Sequence, residues 1–135
     1  MKKIFIGVII LLVIGIGVFF LLSSSDVTGE VINDGSGNDD VKTFVITGDH
    51  LRFFIDGVEN PEIRVKQGDR VKIEFESTEG FHDWGIDEFN ASTEKVNPGK
   101  PTSVEFVADK KGTFEYYCSV GQHRANGMAG KFIVE

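Results

Sequence analysis

Hydrophobic and polar positions divide this 135-residue chain into three regimes. The first is Ile4–Leu22, an unbroken apolar run without a charged or polar side chain. A helix that is apolar all round has no face to turn to water, so it does not suit the surface of a globular domain. The run has nineteen residues, which at the helical rise span about 28 Å, close to the hydrocarbon thickness of a bilayer. Residues 1–22 are therefore predicted to form a single N-terminal transmembrane helix. Lys2 and Lys3 on its leading flank place that end in the cytoplasm and the remainder outside. The competing reading is a cleaved signal peptide, with a shorter core of about 7–15 residues and a small-residue cleavage site. Ser23, Ser24 and Ser25 supply such residues. The length of the core favours the anchor. No cysteine follows the run to carry a lipid.

The second regime, residues 23–42, has little that could pack. Five acids (Asp26, Glu30, Asp34, Asp39, Asp40) stand against Lys42 among Ser, Gly and Asn. Such a composition predicts a flexible acidic linker with a reach of about 25 Å.

In the third regime, residues 43–135, the period drops to two. Arg70–Glu76 alternates cleanly, with Val71, Ile73 and Phe75 on one face and charges on the other. That pattern predicts a half-buried antiparallel strand. Shorter candidates are Phe44–Ile46, Ile63–Val65, Val104–Phe106, Phe114–Tyr116 and Phe132–Val134. Turn signals separate them at Gly48-Asp49, Asp56-Gly57, Gly68-Asp69, Asn97-Pro98-Gly99 and Lys111-Gly112. Many short strands with regular turns predict an all-β sandwich or barrel. The one place where a helical turn fits is Asp87–Glu94.

Charge narrows the function. The formal net charge is −7, and no basic run exceeds Lys110-Lys111, so nucleic acid is not an expected partner.

The chemistry lies in Gly112–Met128, GTFEYYCSVGQHRANGM. Four residues separate Cys118 from His123, and four more separate His123 from Met128. A thiolate, an imidazole and a thioether on one loop form a soft donor set suited to copper. Cys118 is the only cysteine, so it has no disulfide partner in the chain, and it ends an alternating strand on the inward face with Phe114 and Tyr116. An inert buried cysteine, a solvated histidine and a core methionine are the ordinary fates of these residues taken singly. Their spacing on one loop reverses that. Gly127 and Gly130 around Met128 indicate a constrained turn. A second imidazole is available at His82, in FHDWGIDEF, but 36 positions from Cys118. His50 receives no role.

These pieces, in this order, resemble a cupredoxin of the plastocyanin/azurin type. Val65-Lys-Gln-Gly-Asp69 and its alternating strand are similar to the family's early hairpin. FHDWGIDEF is similar to the segment with the first histidine ligand. Asn97-Pro-Gly99 and Gly112–Cys118 follow, then His123 and Met128. The resemblance covers Thr43–Glu135. It implies a Greek-key β-sandwich holding one type 1 copper ion, with Cys118, His82 and His123 in the plane and Met128 as the weak axial ligand. It implies that Asp83 ties the two ligand loops together, where the residue by itself would equally suit a solvated carboxylate. His123, on the more exposed loop, is the expected electron port. Trp84 and Phe81 are expected to pack around the metal.

Enzyme chemistry is not expected. Multicopper oxidases and copper nitrite reductases need more histidines than the three in this chain. A binuclear copper centre needs a second loop cysteine, where Gln122 stands. A Cys–His hydrolase lacks an oxyanion loop and a third orienting group. Zinc would accept a Cys/His/His set, but the methionine and the loop spacing favour copper. The expected function is one-electron transfer with a redox protein partner, by a monomeric copper domain outside the cytoplasm, tethered to the cell membrane or secreted if the leader is cleaved. Copper storage or delivery is the alternative.

Overall fold

The computed structural model describes residues 40–135. The predicted transmembrane helix and nearly all of the predicted linker lie outside them. Among the described residues, no helix is long and apolar enough to cross a membrane.

Ten strands run in chain order: β1 Lys42–Asp49, β2 Arg52–Ile55, β3 Val58–Glu59, β4 Ile63–Val65, β5 Arg70–Glu79, β6 Gly85–Ile86, β7 Ala91–Ser92, β8 Pro101–Val107, β9 Gly112–Tyr117 and β10 Ala129–Val134. A 3-10 turn at Asp87–Phe89 is the helical element among the described residues. The strands form two five-stranded sheets, ordered β3-β2-β1-β5-β8 and β4-β10-β9-β6-β7. The chain passes between the sheets at β3–β4, β4–β5, β5–β6, β7–β8 and β8–β9. This is the expected all-β sandwich.

Three sequence expectations change in detail. The Arg70–Glu76 strand is not purely antiparallel: β5 pairs parallel with β1 and antiparallel with β8. Alternation reports which face is buried and carries no information on the direction of the neighbour. β1 begins at Lys42, whose Nζ lies 2.6 Å from the Asp69 carboxylate. β2 was missed because Arg52-Phe-Phe-Ile has no period: Phe53 is buried, while Phe54 and Ile55 are half-buried.

The core fills the space between the sheets. Val71, Ile73 and Phe75 from β5 meet Ile46, Phe53, Tyr116 and Phe132. Trp84 stacks on Tyr116 at 5.7 Å and on Phe106 at 6.1 Å. Phe53 sets its edge against Tyr116 at 5.4 Å. Each such ring contributes about 1.5–3 kcal/mol on burial. Tyr116 pairs across the ladder with Gly130, and a Cβ there would fall 2.2 Å from the ring. The bare glycine lets the ring lie flat and its hydroxyl donate to Pro61 O at 2.6 Å. This packing delivers the ends of β5 and β9 to the same pole of the sandwich.

Candidate metal centre

His82 stands just beyond β5. The strand's inward series, Val71-Ile73-Phe75, continues to Ser77, which is polar yet fully buried. Ser77 Oγ donates to Gly80 O at 2.7 Å and pins the turn that follows. Gly80 has φ +90°, and a Cβ on it would meet His82 Nε2 at 2.7 Å, so only glycine fits there. His82 then bridges to Val96, donating to Val96 O at 3.2 Å and accepting from Val96 N at 2.8 Å. The residue is 1% exposed. His82 Nε2 donates to Glu79 O at 2.8 Å. A carbonyl only accepts, so the proton sits on Nε2 and Nδ1 of the neutral ring is left as a bare lone pair. Burial lowers the ring's pKa and keeps it neutral.

The other donors come from the loop between β9 and β10. Its backbone closes on itself. Cys118 N donates to Met128 O at 3.1 Å, Met128 N donates to His123 O at 2.9 Å, and His123 N donates to Val120 O at 3.0 Å. Cys118 and Met128 are fully buried, and His123 is half-buried. Burial raises the Cys118 pKa, partly offset by N–H groups of Asp83 and Val120 directed at the sulfur. A bound cation removes that proton outright.

The fold brings the two parts together. His82 Nδ1 and His123 Nδ1 lie 3.1 Å apart, and Cys118 Sγ lies 3.8 Å and 3.5 Å from them. A first-row ion with nitrogens at about 2.0 Å and sulfur at about 2.3 Å in a trigonal plane would separate its donors by about 3.5–3.8 Å. The observed triangle is close to that, and it presents one sulfur and two nitrogens to one point. Met128 is tied by its backbone to both Cys118 and His123, and its Cε lies 3.3 Å from where a Cβ on Gly48 would sit.

Asp83 does what the resemblance implies. Its carboxylate accepts from Ser119 N at 2.6 Å and from the Ser119 hydroxyl, so the residue after His82 holds the residue after Cys118. Trp84 is fully buried, stacked between Tyr116 and Phe106. Phe81 is 43% exposed and lines the open cleft that also holds His82 and His123.

Two contributors escaped the sequence reading. Arg52 Nη1 donates to Asn126 O at 3.1 Å, and Asn60 Nδ2 donates to Gly127 O at 3.1 Å. Together they clamp the ligand loop just ahead of Met128. They lie some 70 positions away with no motif around them, so no local signal could have found them. Ser77 was legible in principle, as a polar residue in register with an apolar series.

A family model for a cupredoxin-like domain matches residues 11–134. The chain belongs to the cupredoxin-like family. Its fold is the cupredoxin fold, and the cofactor that the family and this donor group fit is one type 1 copper ion. Among solved structures, this cupredoxin is similar to the dithionite-reduced auracyanin of Roseiflexus castenholzii, with a TM-score of 0.59 and 22% identity over 70% of this chain and 97% of that one. It is also similar to reduced rusticyanin, with a TM-score of 0.56 and 23% identity over 70% and 80% of the two chains. At those identities the likeness is one of fold. Among curated proteins, the copper-containing nitrite reductase of Neisseria meningitidis is 33% identical over 84 residues, 54% of this chain and 22% of the relative. The L-ascorbate oxidase of Cucumis sativus is 33% identical over 89 residues, 56% of this chain and 15% of the relative. The chain spans less than a quarter of the length of these curated relatives.

Proposed function

We propose that this cupredoxin is a one-electron carrier, tethered to the cell membrane by Ile4–Leu22, with its copper domain outside the cytoplasm and a redox protein as partner. His82, Cys118, His123 and Met128 would hold the copper ion, the thiolate and imidazoles as its main donors and the thioether as a weaker one. The convergence of His82 Nδ1, Cys118 Sγ and His123 Nδ1 within 3.8 Å carries the reading.

When bound, copper supplies a one-electron couple between its two oxidation states. The protein keeps the donor positions alike for both. His82 cannot rotate, because its Nε2–H is committed to Glu79 O and its ring is buried. Cys118 cannot withdraw, because Asp83 holds the next residue. Little reorganisation is then needed when charge changes, since the dipoles around the pocket are already in place. His123, half-buried where His82 is fully buried, offers the shorter route from pocket to surface.

The test is voltammetry of the copper-loaded protein. A reversible one-electron wave is expected, and Met128→Gln should lower its midpoint, because a harder oxygen donor favours the higher oxidation state. A protein that holds only Cu(I) and never cycles would point to copper delivery. N-terminal sequencing of the native protein tests the tether: a start just after Ser25 would make the domain secreted and leave the redox reading intact.

A further inference from the structure

A second group of donors stands at the mouth of the copper pocket. Asp49 ends β1, His50 occupies the turn after it, and Glu79 ends β5. The parallel β1–β5 ladder runs in step as far as Gly48 opposite Ser77, then slips so that Asp49 faces Glu79. The slip brings the two carboxylates together around the imidazole. His50 Nδ1 touches the Asp49 carboxylate and lies 3.5 Å from Glu79 Oε2. One donor atom from each of the three side chains lies within 4.8 Å of the others.

We propose that Asp49, His50 and Glu79 form a second, surface metal site that takes a divalent transition-metal ion, with Cu2+ preferred. One nitrogen and two carboxylate oxygens are a borderline-to-hard set, unlike the sulfur-bearing pocket, and the Irving–Williams order puts Cu2+ highest for such donors. The two carboxylates neutralise a dication. All three side chains reach solvent, so the ion keeps water ligands and no charge need be buried.

The place of the site suggests what it does. One open cleft of about 720 Å³ is lined by His50 and Glu79 together with His82 and His123. Glu79 serves both: its carboxylate belongs to the surface site, and its carbonyl accepts from His82 Nε2 at 2.8 Å. An ion on the Glu79 side chain would bear on the carbonyl that orients His82. The coupling rests on the type 1 reading of the pocket, whereas the surface site does not.

The chain has three histidines, so with His82 and His123 occupied, His50 is the one imidazole left for another ion. The experiment adds Cu2+ alone to the full-length, copper-loaded protein and records pulsed EPR. One further equivalent should bind, with a parallel hyperfine splitting wider than that of the first copper and with imidazole-nitrogen modulation. His50→Ala should remove that modulation and weaken the second equivalent by tenfold or more, since even indirect partners of a metal cost about 10–100-fold. It should leave the thiolate charge-transfer band untouched. Asp49→Asn should weaken binding with the modulation retained. The proposal is overturned if no further equivalent binds through imidazole, or if His50→Ala leaves the second signal unchanged. A protein without the thiolate band before titration would defeat the type 1 reading instead, and the His50→Ala comparison would still decide the surface site.

Discussion

The two halves of the copper pocket are held by different physics. His82 is fixed by the sandwich itself: a buried ring, a turn that only Gly80 permits, and a backbone bridge to Val96. The loop from Cys118 to Met128 lies between strands and is held by separate polar contacts, from Asp83 on one side and from Arg52 and Asn60 on the other. Burial is collective and hard to undo at one atom. A clamp made of single hydrogen bonds can be cut one bond at a time. Substitutions in the clamp should therefore tune the metal without unfolding the protein, whereas the His82 side should respond as part of the core.

The largest effect tests the donor that joins the two halves. Cys118→Ser should abolish the intense visible charge-transfer band of the copper-loaded protein, because no thiolate remains. A band that survives would remove Cys118 from the ligand set.

Next comes the strut between them. Asp83→Ala should weaken copper binding by about 10–100-fold. It should destabilise the copper-free protein by about 1–3 kcal/mol through the lost bonds to Ser119. Asp83→Asn keeps an acceptor for Ser119 N–H and should recover much of the loss. Equal effects of the two in competition with a copper chelator would show that the bond to Ser119 does not matter.

The buried histidine carries a pH signature. The His82 pKa is lowered in the fold from its usual 6.5. The unfolded chain therefore takes up the proton first as pH falls. The stability that the neutral ring contributes is present above about pH 6.5 and is lost as pH falls towards the folded pKa. His50 has the opposite sign: its bond to Asp49 and the charge of Glu79 raise its pKa, so its contribution fades as pH rises. Urea midpoints of copper-free His50→Ala between pH 8 and pH 5 remove the opposing contribution of His50 and should fall with pH. A flat profile would mean that the ring is not shielded as described.

The smallest effect belongs to the far clamp. Arg52→Ala should cost about 0.5–1.5 kcal/mol in thermal unfolding. It should broaden the copper spectra by loosening the loop ahead of Met128. Unchanged spectra would make Arg52 a surface residue only.

What the sequence disclosed follows the same division. The loop spacing of Cys118, His123 and Met128 was readable because a short loop keeps its ligands local, and the Val71-Ile73-Phe75 alternation marked the strand that leads to His82. The parallel β1–β5 pairing was not readable, because alternation is silent on direction. Arg52 and Asn60 were hidden because their targets, Asn126 and Gly127, are brought close only by the fold. The resemblance to cupredoxins supplied His82, which spacing alone could not join to Cys118. It also suggested the role of Asp83.

The central claim is that His82, Cys118, His123 and Met128 hold one type 1 copper ion. Absorption and EPR spectra of the copper-loaded protein test it most directly. The account predicts an intense visible thiolate-to-copper band together with a narrow parallel hyperfine splitting, at one ion per chain. A colourless protein, or copper with a wide hyperfine splitting and no thiolate band, would contradict it.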